Sequence, residues 1–302
     1  MRPNLSYMYS CIRMVYMRCI FCKKDSSSSK SVEHIVPESL GNKHHILPPG
    51  FVCDACNNYF ARKVEAPFLE SEEIRSLRFM QAVPNKKGNI VSQSGIAIGK
   101  EGYSRVSIYK DALSHHSNDN SPEMIPLIDF KDKMISEGTI FFPRITDNEL
   151  CRMDSQIVSR FLAKIAIECL ASRFALCEPD GLDYMIDDHA FDALRNYARF
   201  GTGGKWPYRV RRIYDENRIL NNNDGTYKQI VWESDFLFIP AEVKNKLPDQ
   251  EAFYVYFIFA LFGLEYILYI GSNDDDVFDL YFQWIKDNNC TSPLYCNKQQ
   301  LR

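Results

Sequence analysis

The pattern of apolar and polar positions predicts helices in the middle of the chain and strands towards its C-terminal end. Apolar side chains recur at helical spacing over residues 154–176 and again over 188–200, which stops at Gly201. The short apolar runs that follow, each bounded by polar residues, predict strands over 208–214, 229–232 and 236–239, and a pair of strands within 252–270.

The segment 252–270 has nearly the length of a membrane-spanning helix, and Glu265 is its one charged residue. Its aromatic and β-branched residues and the step Gly263-Leu264 favour two buried strands joined by a short turn. We therefore expect no membrane span.

The first half of the chain divides into a helical and a β-rich region. Residues 53–77 have helical spacing, but Pro67 is expected to kink or divide that helix. Residues 80–150 contain turn signals between apolar runs, at 85–89 and 95–102, and are expected to be rich in strands.

Composition and net charge exclude some classes of function for this protein. The 302 residues are 45% hydrophobic, enough for a substantial core, and a net charge of −3 excludes a strongly basic nucleic-acid binder. Residues 1–65, however, carry nine basic and five acidic side chains, which leaves the remainder at −7. Such a local basic surface can attract a polyanion. Ten cysteines and no signal-peptide pattern in residues 1–16 predict a reducing, cytoplasmic location.

Two Cys-x-x-Cys pairs, Cys19/Cys22 and Cys53/Cys56, enclose the most informative segment of the chain. Four thiols in two such pairs predict a tetrahedral structural zinc site. Between the pairs lies the step Glu33-His34, and Asn57 follows the last cysteine directly. Carboxylate, imidazole and amide groups can bind a divalent ion and activate a water molecule.

These motifs, together with Ile35, Pro37 and the Leu40-Gly41 step, resemble an HNH endonuclease module over residues 19–65. In that family a zinc clip surrounds a ββα-metal core. The resemblance implies that His34 is the general base that takes a proton from water, and that Glu33 and Asn57 hold the catalytic ion. Oxygen ligands favour Mg²⁺ or Mn²⁺ there, whereas the thiolates take Zn²⁺.

The same resemblance implies an endonuclease that hydrolyses phosphodiester bonds in nucleic acid, with DNA favoured over RNA, and leaves 5′-phosphate ends. Small nucleases fused to larger domains often act in microbial defence against foreign DNA, and we expect that role by analogy alone. The middle Asn of the family pattern is not clearly placed, because residues 46–52 contain none; Asn42 is the nearest upstream candidate.

The predicted fold class is α+β: a small zinc-clipped ββα-metal module followed by a larger mixed α+β domain. Residues 1–16 are expected to be an N-terminal extension, 17–78 the nuclease module, and 79–302 a domain of open role. That domain could recognise substrate, sense a ligand or form a homo-oligomer.

Each candidate residue has a plainer interpretation. The main alternative function is a catalytically inactive, zinc-stabilised nucleic-acid-binding or regulatory protein in which His34 is structural. Independently of that function, the plainer interpretation of Glu33 is a solvated strand residue and that of Asn57 a helix cap. Glu65 either reaches the metal or, as we favour, is a surface charge of the helix. Farther along the chain, three arginines follow a tryptophan: Trp206, Arg209, Arg211 and Arg212. They suggest a surface that binds phosphates and stacks on a base. The plainer interpretation, which we favour, is a solvated basic strand edge.

Overall fold

The computed structural model describes residues 17–99, 102–109, 112–116, 122–126, 139–141, 146–151, 153, 155–177, 180–216, 218–221, 227–241 and 252–295. The predicted N-terminal extension, residues 1–16, lies outside them. The chain forms two compact units. The first comprises Met1–Pro37, Asn42–Phe68 and Met153–Arg302, and the second comprises Glu38–Gly41 and Leu69–Arg152.

The helices and strands follow one another in this order along the chain: β1 (Glu33–His34), β2 (Ile46–Leu47), α1 (Asp54–Phe60), a π-helical turn (Ala61–Glu65), α2 (Ala66–Glu70), α3 (Glu72–Met80), β3 (Gln93–Gly99), β4 (Gly102–Ile108), β5 (Ala112–His116), β6 (Pro122–Pro126), β7 (Thr139–Phe141), α4 (Asp147–Cys151), α5 (Ser155–Cys177), α6 (Gly181–Asp187), α7 (Asp192–Phe200), β8 (Tyr208–Arg212), β9 (Ile219–Asn221), β10 (Tyr227–Gln229), β11 (Trp232–Pro240), β12 (Phe253–Leu261), β13 (Leu264–Tyr269) and α8 (Val277–Asp287). The strand pairs among the described residues are all antiparallel. The predicted α+β class is confirmed.

The long central helix, α5, forms where the sequence predicts it. Much of its surface is apolar and buried, and Phe161 stacks on Phe68 with ring centroids 3.8 Å apart. The helix predicted over 188–200 divides into a short 3₁₀ turn and α7. Gly201 ends α7 in the left-handed conformation, at φ 63°, which glycine adopts without a Cβ penalty.

The helix predicted over 53–77 is interrupted near Pro67, as expected. A π-helical turn precedes the proline, which cannot donate a backbone hydrogen bond to the turn before it. A further break at Ser71 starts α3, whose first turn is capped by the Ser71 hydroxyl accepting from the Ile74 amide.

The C-terminal strands of the first unit form a four-stranded sheet in the order β11-β12-β13-β8. Residues 252–270 supply β12 and β13, so the prediction of two strands is confirmed. Among the described residues no helix is both long and apolar enough to cross a membrane. The strand predicted over 229–232 is wrong, because those residues divide between the end of β10 and the start of β11. Helix α8 covers one face of the sheet through Phe278 and Tyr281.

The second unit contains a five-stranded sheet in the order β6-β5-β4-β3-β7, with helices α3 and α4. The strands match the β-rich region predicted over 80–150. The predicted turn at 85–89 is present as a tight loop closed by a bridge between Pro84 and Ile90.

Candidate functional site

The four cysteines of the two pairs converge on one point. Their sulfur atoms all lie within 4.8 Å of one another, and the Sγ atoms of Cys22 and Cys53 are 3.7 Å apart. A tetrahedral zinc site with Zn–S bonds of about 2.3 Å places neighbouring sulfurs about 3.8 Å apart. The spacing therefore fits a zinc ion held by Cys19, Cys22, Cys53 and Cys56, and the cluster is a candidate zinc site.

The first cysteine pair sits on a tight turn. The amide of Lys23 donates to the carbonyl of Cys19, and Lys23 itself adopts a left-handed φ of 60°. The second pair opens α1, where the Cys53 sulfur accepts from the amide of Cys56. Hydrogen bonding, led by the contact with Cys56, lowers the pKa of Cys19 to about 5, and the same contact raises the pKa of Cys56.

The segment between the cysteine pairs forms a ββα arrangement. β1 pairs with β2 so that Glu33 lies opposite Leu47 and His34 opposite Ile46. The side-chain amide of Asn57, on α1, donates to the carbonyl of Val32 at 3.3 Å. The structure thus brings Asn57 against the strand that carries Glu33 and His34. Asn57 lies within α1, whose cap is Cys53, so the interpretation of Asn57 as a helix cap is wrong.

The loop between β1 and β2 is organised by a buried asparagine, Asn42. Its amide nitrogen donates to the carbonyls of Val36 and His45, at 2.7 and 2.8 Å. Its amide oxygen accepts from the backbone N–H groups of His44 and His45. One side chain therefore ties the end of β1 to the start of β2.

Glu33 is not a solvated strand residue. It is 4% exposed, and its Oε1 accepts from Nζ of Lys164 at 2.6 Å. The same ammonium lies 2.6 Å from Oε1 of Glu65 and 2.9 Å from Oε2 of Glu168. Glu65 is thus part of a buried ion cluster, and its interpretation as a surface charge is wrong.

The cluster places one ammonium among three carboxylates where water is largely excluded. Burial raises the pKa of Glu33, and the nearby ammonium of Lys164 offsets part of that effect. Burial likewise raises the pKa of Glu168, well above its usual range. Burial alone would lower the pKa of Lys164, but the carboxylates raise it well above its ordinary value.

His34 is half-buried, unlike its neighbour Glu33. Successive side chains of a strand point to opposite faces. Because Glu33 points into the first unit towards α5, the imidazole of His34 is directed to the other side of β1.

The turn that carries the first cysteine pair is docked on helices α6 and α7. Arg195, which is 1% exposed, donates through Nε to the carbonyl of Ile20 at 2.6 Å and through Nη2 to the carbonyl of Met185. Nearer the surface, Arg18 pairs with Asp183 and Asp187. The buried arginine of α7 and the more exposed ion pairs of Arg18 thus hold the turn in place.

The arginines near Trp206 are engaged within the fold. Arg209 pairs with Asp275, and Arg211 donates to the buried Glu265 at 2.6 Å. The indole of Trp206 is 5% exposed and donates to the carbonyl of Tyr269. The suggestion that this tryptophan stacks on a base is wrong, because its ring is covered by the protein.

Three buried charged residues were not predicted from the sequence: Lys164, Glu168 and Arg195. A signal for the first two was present: they lie four residues apart inside an otherwise apolar stretch of α5, where solvated charges have no place. No sequence signal distinguished Arg195 from Arg199, the other arginine of α7.

A comparison with family models supports the interpretation of this segment. Residues 19–72 match the model described as HNH endonuclease. No curated protein and no solved structure gives a significant match. The segment from Cys19 to Glu72 is therefore similar to the HNH endonuclease domain, which indicates nuclease activity on nucleic acid.

Proposed function

We propose that the chain is a metal-dependent endonuclease in which His34 is the general base. The observation that carries the proposal is the ββα arrangement, which sets α1 and Asn57 against the Glu33-His34 strand beside the four-cysteine cluster. A neutral imidazole suits proton abstraction from water near neutral pH. Its partial exposure allows the imidazole of His34 to reach a bound phosphodiester.

Glu33 and Asn57 are the residues that would hold the catalytic Mg²⁺ or Mn²⁺. A divalent ion there supplies charge stabilisation for the phosphate and the leaving oxygen. The donor chemistry fits hard cations, since a carboxylate and an amide provide oxygen atoms. Asn57 directs its amide nitrogen to Val32, so its oxygen is on the opposite branch of the amide. Glu33 already accepts from Lys164 through Oε1, and a carboxylate has a second oxygen for an ion.

The test is cleavage of supercoiled plasmid with Mg²⁺, with Mn²⁺ and with EDTA. We expect metal-dependent nicking that His34→Ala abolishes and His44→Ala leaves intact, because the side chain of His44 is exposed and its contact with Asn42 is made by the backbone amide. Equal cleavage by the two variants would remove His34 from the mechanism. Parallel RNA and single-stranded DNA substrates would test the proposed preference for DNA over RNA and would show which strandedness is cut.

A second candidate is the catalytically inactive nucleic-acid-binding or regulatory protein. The specific observation in its favour is that Glu33 is buried and paired with an ammonium, which competes with a metal ion for the carboxylate. This candidate predicts salt-sensitive binding of DNA or RNA with no cleavage in any metal.

We also propose, by analogy alone, that the nuclease acts in defence against foreign DNA. If it holds, cells that produce the wild-type protein should resist infection by DNA phage, and cells that produce His34→Ala should not. Equal plaque counts would remove the defence role and leave the nuclease proposal intact.

A further inference from the structure

Lys164 contacts the candidate catalytic residues Glu33 and His34, although it lies far along the chain from the segment that matches the family model. It lies on α5, about 130 positions beyond Glu33, and its side chain is fully buried. Its ammonium donates to the Glu33 carboxylate at 2.6 Å and to the backbone carbonyl of His34 at 3.3 Å. One group therefore holds both residues of β1.

β1 has little means of setting its own orientation. It is two residues long and pairs only with the two residues of β2 among the described elements. A hairpin of that size is not stable in isolation. The direction in which His34 points must therefore be imposed by contacts from outside the hairpin.

The same ammonium also joins the strand to the helix that carries Asn57. Glu65 ends the π-helical turn that continues α1, and its carboxylate lies 2.6 Å from Nζ of Lys164. Glu168, one turn along α5, holds Nζ from its own helix at 2.9 Å. The three elements that determine the geometry of the site thus meet at one nitrogen atom.

A gain in folding stability does not explain why Lys164 and the three carboxylates are buried together. A buried ion pair is often no more stabilising than apolar side chains of similar volume. A compact ammonium, however, fixes several acceptors at short distances from a single point. The contacts therefore fit a geometric role better than a stabilising one.

We propose that Lys164 is a positioning residue of the nuclease site. By holding the Glu33 carboxylate inward, it turns the imidazole of His34 outward and sets its distance from Asn57. This inference rests on the proposed nuclease function.

The experiment compares Lys164→Met, Lys164→Arg and, as a matched control, Lys286→Met, which alters an exposed lysine on α8. Plasmid cleavage is measured in Mg²⁺ and Mn²⁺. Amide hydrogen exchange follows Ile35, whose N–H donates to His45 in the hairpin, and the amides of β12 and β13. For Lys164→Met we expect a fall in kcat of about 10- to 100-fold with KM for the plasmid changed less than about twofold. We also expect exchange at Ile35 to be about tenfold faster while β12 and β13 keep their protection.

The outcomes separate this inference from the proposed function. A folded Lys164→Met protein with wild-type kcat overturns the positioning role and leaves the nuclease intact. If the wild type does not cleave, the nuclease proposal fails, and unchanged exchange at Ile35 in the variant also overturns the positioning of β1. Faster exchange across β12 and β13 as well would show a general loss of stability instead.

Lys164→Arg keeps the test decisive if the methionine variant does not fold. A planar guanidinium keeps the charge but cannot reproduce the contacts of a single nitrogen. A folded arginine variant should therefore lose at least about tenfold in kcat through the same loss of positioning. Wild-type kcat in that variant would show that only the charge matters and would overturn the proposal.

Discussion

The clip segment, residues 17–60, and the four-stranded sheet of β8, β11, β12 and β13 are held together by different means, although both, apart from Glu38–Gly41, belong to the first unit. The strands of the clip segment are two residues long, and its order depends on a four-thiol cluster and on polar contacts such as those of Asn42 and Arg195. The sheet has strands of up to nine residues, with most of β12 and β13 buried.

The difference shows where chemistry can be placed in a fold. The sheet gains its stability from buried apolar surface, so its strands form from apolar segments that are separated by turns. The clip segment leaves polar groups such as His34 accessible, and its order depends instead on buried hydrogen bonds and on the four-cysteine cluster, a candidate zinc site. Perturbations should therefore act selectively on one region or the other.

The largest expected effect is the loss of the zinc site. Cys19→Ser should abolish binding of one Zn²⁺ per chain, because structural zinc in small domains contributes apparent binding free energies of about 10–16 kcal/mol. Zinc content by mass spectrometry and amide exchange across residues 18–60 would measure the change. Cys177→Ser, at an exposed free thiol, is the control and should retain zinc. Full zinc occupancy in Cys19→Ser would contradict the four-thiol site.

The sheet should respond to loss of apolar volume and not to zinc. Ile258, in β12, is fully buried in the core against α8. Ile258→Ala should lower the free energy of unfolding by about 2–5 kcal/mol, through lost burial and the cavity left behind. Ile219, which is 58% exposed, provides the matched control, and its alanine variant should change little. Denaturant unfolding with and without a zinc chelator would show whether the two regions respond separately.

Next in size is the docking of the clip on the helices. Arg195→Leu removes the donor to the carbonyls of Ile20 and Met185 and should destabilise the clip segment by about 3 kcal/mol, since buried acceptors lose their partners. Arg195 also pairs with Asp192, as Arg173 pairs with Asp235. The side chain of Arg173 is 45% exposed, however, so Arg173→Leu should cost less than about 1 kcal/mol. Equal losses of stability in the two variants would contradict the prediction that the buried arginine contributes more than the exposed one.

A smaller, local effect is expected at the hairpin loop. Asn42→Ala leaves the carbonyls of Val36 and His45 without their donor and should cost about 1–3 kcal/mol. Asn58→Ala, at an exposed position on α1, is the control. We expect faster amide exchange at Ile35 and lower nuclease activity in Asn42→Ala alone. Wild-type exchange and activity in that variant would contradict its orienting role.

The smallest predicted effect depends on pH. Burial lowers the pKa of His45, whose ring stacks on Trp232 with centroids 5.7 Å apart. An unfolded chain takes up the proton at a higher pH than the folded protein, so the stability that the neutral ring contributes is lost as pH falls below about 6.5. His45→Phe should therefore lose less stability than the wild type between pH 7 and 5, and His44→Phe should behave as the wild type. Identical pH profiles for all three proteins would contradict this assignment.

The sequence by itself determined the elements that depend on local pattern. Helical spacing located α5, Gly201 located the end of α7, and apolar runs located β12 and β13, because periodicity and burial are properties of short segments. The paired spacing of the cysteines and the Glu33-His34 step likewise located the clip and the candidate base. The division of the chain at residue 78 and the catalytic roles of His34, Glu33 and Asn57 stay predictions.

Only the tertiary structure decided what surrounds those residues. That Glu33 is buried, that Glu65 faces inward, and that Lys164 joins them all depend on packing between segments about 100 or more positions apart. Asn42 was a named candidate, but its four hydrogen bonds follow from the path of a loop. Spacing along a chain encodes contacts within a turn or a strand, whereas a contact made by a buried charge depends on which distant surface closes over it.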